Sequence, residues 1–145
     1  MASLRSGGRA LATLLAALLV SLIASMAPLG AVEPTGLWLT ELQAEILIRP
    51  CPEGWCGTVA KPVRPGLFDI NNPDPDLRTR PIEGLPMIWI TDGNSAETFD
   101  ARLYNPIDGR MYNGVVTMRN EATLHLRGCV LFIFCKAESW TKLAN

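Results

Sequence analysis

The chain has one histidine, His125, and two tyrosines, and its 13 basic residues are matched by 14 acidic ones. A single imidazole cannot build a histidine-based metal site, so zinc would have to rely on sulfur alone. No Gly-x-Ser-x-Gly elbow occurs, and neither Ser95 nor Ser139 has a base beside it in sequence. His125 alternates onto the polar side of its strand, where a solvated surface role is expected; a triad would need partners to orient it. Without a basic run or a positive net charge there is no electrostatic footprint for nucleic acid or anionic lipid. No catalytic residue, cofactor or metal is expected, and the reading is of a protein that is not an enzyme.

What the chain does have begins with a leader. Arg5 and Arg9 give it a positive start, Leu11 to Ile23 is apolar and uncharged, and the small-residue stretch ending at Ala31 offers a cleavage site. Cutting after Ala27 would place Pro28 at the first mature position, a worse fit than Leu29 three residues before the cut at Ala31. Residues 1–31 therefore read as a signal peptide and 32–145 as one domain, too short to divide sensibly. The alternative is an uncleaved anchor, because Ala10 to Ala27 approaches the roughly 20 apolar residues that span a bilayer. No cysteine lies near the cleavage region, which argues against a lipoprotein, and no Arg-Arg pair points to twin-arginine export. A bacterial periplasm or the exterior is the expected location, with no stable membrane insertion once the leader is gone. Arg5 and Arg9 leave with it, so 11 basic residues face 14 acidic ones and the domain carries −3.

An oxidising compartment gives the even cysteine count a meaning. Cys51 and Cys56 flank a Pro/Gly turn, and Cys129 and Cys135 flank a short apolar stretch. Local pairing within each couple is the first choice. A cross-link such as Cys51 to Cys129 would close a longer loop and stabilise more. Neither couple has the two-residue spacing of a thioredoxin motif, so structural disulfides are preferred over a redox pair or an all-sulfur zinc site.

Short alternating runs punctuated by Gly, Pro, Asn and Asp mark antiparallel strands. They are expected near Gly36–Thr40, Ala44–Arg49, Cys56–Lys61, Met87–Thr91, Glu97–Tyr104, Tyr112–Met118, Thr123–Cys129 and Phe134–Lys142. No helix-period segment of useful length competes with them. Phe99, Ala101 and Leu103 share one face against Asp100 and Arg102, and Leu124 and Leu126 oppose His125 and Arg127 in the same way. One face is wet and the other dry. Eight such strands close most economically into an all-β antiparallel, up-and-down barrel, because closure removes exposed edges. A barrel of that size is either filled by its own side chains or holds one small ligand.

The segment Lys61 to Pro86 breaks the pattern with six prolines, and its centre, Asp69-Ile70-Asn71-Asn72-Pro73-Asp74-Pro75-Asp76, reads as side-chain-capped turns. One helical turn over Asp76 to Arg80 is expected there, above a barrel end. Asp69, Asp74 and Asp76 invite a calcium reading, but Pro73 and Pro75 interrupt the ligand spacing and no closing glutamate follows. Asp74, Arg78 and Arg80 could instead form an ion-paired lid with Tyr104, Asn105, Asp108 and Tyr112 at a barrel mouth, where the arginine forks would suit a carboxylate or phosphate. The bland reading is that the arginines pair with local aspartates and pin the loop.

The stretch Asp69 to Gly84, then Tyr104-Asn105-Pro106-Ile107-Asp108-Gly109-Arg110-Met111-Tyr112, Leu126-Arg127-Gly128 and Trp140-Thr141-Lys142 together resemble the bacterial secreted family called domain of unknown function 2147. That resemblance implies a small lipocalin-like, or calycin-like, barrel and leaves activity unassigned. Gly36-Leu37-Trp38 is similar to the Gly-x-Trp opening of lipocalins, whose indole plugs the barrel base beneath a basic residue from the last strand. Lys142 is the residue so placed here, where arginine is usual. The expectation is a small apolar or amphipathic ligand in a cavity lined by Phe99, Leu103, Leu124 and Leu126; the competing expectation is a filled barrel serving protein interaction or the cell envelope.

Overall fold

Side chains that alternate with period two give a sheet one dry and one wet face, and this chain closes that sheet on itself. The computed structural model describes residues 32–145 apart from 96 and 132; the leader read over residues 1–31 lies outside the described residues. Eight strands follow one another: β1 (Gly36–Leu39), β2 (Glu45–Cys51), β3 (Gly54–Lys61), β4 (Pro86–Ser95), β5 (Thr98–Asn105), β6 (Arg110–Asn120), β7 (Thr123–Val130) and β8 (Phe134–Ala144). Each pairs antiparallel with the next, and β1 pairs with β8 to complete a closed up-and-down barrel. Every segment expected to be a strand is one. The differences lie at the ends: β3 starts earlier than Cys56 because the β2–β3 hairpin is tight enough for Cys51 to sit opposite Gly54.

The cysteines pair locally, Cys51 with Cys56 and Cys129 with Cys135. The first bridge lies at the end of the barrel where β2 turns into β3, the second at the opposite end where β7 turns into β8. Among the described residues no helix is long and apolar enough to cross a membrane.

The two ends differ. At the end holding the start of β1, Trp38, Trp140, Ile48, Ile90, Val116, Met118 and Leu124 fill the interior, each almost wholly shielded from solvent. The Trp38 indole N–H donates to the Pro34 carbonyl at 2.8 Å, so the plug is tied to the segment leading into β1. Lys142 lies opposite Trp38 in the β1–β8 register, and its Nζ sits 5.1 Å from the ring centroid. An aliphatic stem plus an ammonium over an indole is the lysine version of a cation–π cap. Burying a large side chain contributes about 1.5–3 kcal/mol, so each of these residues is a sizeable share of what keeps the barrel folded.

At the other end lie the β1–β2, β3–β4, β5–β6 and β7–β8 connections. The β3–β4 connection is long but ordered by its own hydrogen bonds. Its limbs pair through Ile82 N–H to Leu67 O at 2.9 Å and Asp69 N–H to Arg80 O at 3.0 Å, and its root is tied by Val59 and Leu85 at 3.0 Å. The expected helical turn falls over Pro75–Leu77 as a 3-10 turn rather than over Asp76 to Arg80. Asp74 caps it by accepting the Asp76 N–H at 3.0 Å, and Pro75 supplies the preset backbone angle that favours a first helical position.

Candidate functional site

The interior is hollow at the open end. A cavity of about 600 Å³ opens there, within the range of small-molecule sites. Its walls are Ile46, Val59, Leu103 and Leu126 from the strands, and Leu67 and Ile82 from the long connection lie over it. Phe99 and Leu124, expected to line it, lie in the plugged half instead: β5 runs from the closed end upward and β7 likewise, so their first inward residues are below the cavity floor.

One buried carboxylate holds the roof in place. Asp69 is completely shielded from solvent, and four donor groups converge on it. Arg80 gives Nε at 2.9 Å and Nη2 at 2.8 Å to Oδ2, Asn72 gives its amide at 2.8 Å to the same oxygen, and the Tyr104 hydroxyl donates to Oδ1 at 2.6 Å. A buried ion survives only when paired and hydrogen-bonded in this way. Burial, and then the carboxylate it donates to, push the Tyr104 phenol above its ordinary value. Tyr104 is the residue after inward-facing Leu103, so its ring lies on the outer wall of β5; it is buried because the loop covers it.

The loop is also pinned to the neighbouring β5–β6 connection. The Asn71 side-chain amide donates to Ile107 O at 2.8 Å. Gly109 has φ +69°, and a Cβ there would run into the Asn71 carbonyl. Only glycine meets both demands cheaply.

The polar side of the cavity belongs to β8. Trp140, Glu138 and Lys136 alternate inward, Glu138 opposite Leu126 in the register. The Glu138 carboxylate accepts the Trp140 indole N–H at 2.8 Å and lines the cavity just above that plug. Burial pushes its carboxyl above the usual range, the Trp140 hydrogen bond opposes this, Glu41 adds to it and Lys136 opposes it. Lys136 lies 3.8 Å from Asp108 and over the Tyr112 ring. The Tyr112 hydroxyl donates to Asp108 at 2.5 Å, which, with burial, raises that phenol too. Beyond the end of β1, the Glu41 carboxylate takes over the ladder by accepting the Ser139 N–H at 2.8 Å.

Of the residues singled out in the sequence, Tyr112 lines the cavity and Tyr104 and Asn105, at the end of β5, border it, whereas Asp74, Arg78, Arg80 and Asp108 do not. Arg78 Nε donates to the Asn72 carbonyl at 2.8 Å, so both arginines hold the loop. The residues sequence reasoning did not single out are Asp69 as the hub, and Glu41, Lys136 and Glu138 as the charged lining. For Glu138 a signal existed, since two-residue spacing from a core Trp140 puts it indoors. His125 pairs with the Ser139 hydroxyl at 3.1 Å on the outer wall.

A closed eight-stranded antiparallel barrel, plugged by a tryptophan at one end and hollow at the other, defines a lipocalin-like protein. The chain belongs to the family described as "Uncharacterized protein conserved in bacteria (DUF2147)", which matches residues 36–142. It is similar to a solved structure described as protein HP1028 from the human pathogen Helicobacter pylori, which belongs to the lipocalin family. The TM-score is 0.70 at 18% identity, covering 79% of this chain and 85% of that chain; at this identity the likeness speaks to the fold. No curated protein matches the chain.

Proposed function

We propose that this protein is a non-catalytic binder of one small apolar or amphipathic molecule, acting outside the bacterial cytoplasm. The observation that carries the reading is the cavity of about 600 Å³, walled by aliphatic side chains and open at one end of an otherwise filled barrel. A void of that size and composition gains free energy when apolar surface replaces water, about 25 cal/mol for each Å² removed from solvent. Two local disulfides and a leader of the secretory type support the compartment.

The test is binding of a neutral fluorescent apolar probe, N-phenyl-1-naphthylamine, to the purified protein and to Ala44→Trp. Ala44 is only partly buried and lines the cavity, so an indole there obstructs the opening without overfilling the core. One probe per chain, lost in Ala44→Trp with unfolding unchanged, is the expected result. Absence of saturable binding to the wild type refutes the reading.

A second reading draws on Leu131, Ile133 and Phe134, all well exposed on the β7–β8 turn beside the opening. Exposed apolar groups grouped together mark contact surfaces, and on this reading the open end meets a protein partner. Failure of the probe experiment, with a partner recovered by cross-linking at this turn, would favour it.

A further inference from the structure

Resting on the cavity reading above, the inside of the barrel also states what kind of head group it takes. Among the described residues three charged side chains line the cavity: Glu41, Lys136 and Glu138. Lys136 already faces an anion in Asp108 at 3.8 Å and lies over the Tyr112 ring. Glu138 is different. One of its oxygens is held by the Trp140 indole at 2.8 Å, and among the described residues the other has no hydrogen-bond donor. It is half-buried, opposite Leu126, directly above a fully buried tryptophan. The carboxylate therefore stands on the floor of an aliphatic chamber with half of its hydrogen-bonding capacity open.

The surrounding charges fix the sign of what can approach. Glu41 is near enough to raise the Glu138 carboxyl, and Lys136 works the other way while being shared with Asp108. Among the described residues no arginine lines the cavity: Arg80 is spent on Asp69 and Arg78 on the Asn72 carbonyl. A carboxylate or phosphate entering would meet like charge with no planar fork to receive it. A protonated amine would meet an acceptor, and would relieve the cost of holding an ionised carboxylate among apolar walls.

The polarity runs in one direction along β8. Glu138 lies four positions from Phe134 at the exposed rim, roughly 13 Å at the ordinary strand rise, with Lys136 alternating inward between them. Apart from the exposed Glu41 and Lys136, the rim is apolar, with Leu42, Val63, Phe68, Ile70 and Ile107 exposed around it. We propose that Glu138 is the head-group acceptor of the cavity, so that the ligand is an amine-bearing amphiphile bound amine inward, with its apolar end at the rim.

The experiment compares three probes of equal chain length, decylamine, decan-1-ol and decanoate, titrated calorimetrically at pH 7 into the wild type and Glu138→Gln. The expected order is decylamine tightest and decanoate weakest. Glu138→Gln weakens decylamine about tenfold, or about 1.4 kcal/mol, and leaves decan-1-ol nearly unchanged. Thermal unfolding of Glu138→Gln, unaltered or raised, shows that the variant is folded. If decan-1-ol binds but decanoate matches decylamine, or Glu138→Gln leaves decylamine untouched, the head-group assignment is wrong and the cavity reading stands. If none of the three binds, the cavity reading fails and this inference with it.

Discussion

Removing the Asp69 carboxylate is the sharpest test of how the cavity roof is held. Asp69→Ala strips four donor contacts at once: Nε and Nη2 of Arg80, the Asn72 amide and the Tyr104 hydroxyl. Arg80 is about one-third exposed and can turn to water, but the Asn72 amide and the Tyr104 hydroxyl are buried. Breaking a buried, hydrogen-bonded ion pair from one side costs about 3–5 kcal/mol. Asp69→Asn keeps the shape and one acceptor oxygen while losing the charge, and should cost about half as much, since hydrogen bonds to charged groups are worth roughly 1.5–3 kcal/mol. Taking a urea slope of about 1.5 kcal/mol per molar for a domain of this size, the unfolding midpoint of Asp69→Ala should fall by about 2–3 M. Tyr104→Phe should fall by less, because it removes one donor of the four. A midpoint within about 0.5 M of the wild type would mean that the packing of Leu67, Ile82 and Leu85 holds the connection by itself, and the ionic hub would be incidental.

Both tyrosines of the chain are held protonated by their surroundings, so native-state absorbance at 295 nm should show no phenolate forming around the ordinary value of about 10; a normal titration there would sink the hydrogen-bond assignments to Asp69 and Asp108. Gly109→Ala should cost more than Gly84→Ala. Both have positive φ, +69° and +81°, but only Gly109 abuts another backbone. The shared left-handed penalty is about 1–2 kcal/mol, and chemical denaturation of the pair isolates the contact with Asn71 as the difference. For Glu138 the sign is that of a carboxyl raised on folding: its contribution is complete below the ordinary range near 4.3 and is lost as pH rises through the folded value. The wild type should lose stability relative to Glu138→Gln as pH climbs toward neutrality, and a pH-independent difference in melting temperature refutes the burial argument. Opening either disulfide should cost about 2 kcal/mol by loop entropy, given separations of 5 and 6 residues; Cys51→Ser/Cys56→Ser unfolding at the wild-type midpoint would contradict it.

The strands were legible because each is decided by its own residues. Phe99, Ala101 and Leu103 set the inner face of β5 without help from elsewhere, and the tight Cys-to-Cys spacings brought sulfurs together across single hairpins. The roof was less legible because it depends on partners far away in sequence. Tyr104 and Asp69 meet across 35 positions, and nothing in the Asn/Asp/Pro-rich run distinguishes the aspartate that goes inside from those that cap turns. The hint was on the strand: Leu103 and Tyr104 are consecutive, and an outward tyrosine among polar neighbours needs a cover. Arg78 and Arg80 were recognisable as loop pins or ligand forks, and local geometry chose the pins. The cavity's depth could not be read at all, since whether Phe99 or Leu103 meets empty space depends on how far the tryptophans reach up from below.

The barrel's filled foundation and its open chamber share strands β2, β5, β6, β7 and β8 yet use different positions along them. Exchanges at the upper positions, such as Ile46, Leu103 or Leu126, alter the shape of the chamber while the tryptophan-plugged foundation stays as it was. A lineage built on this plan can change what it accommodates one side chain at a time without first having to rebuild what keeps it folded.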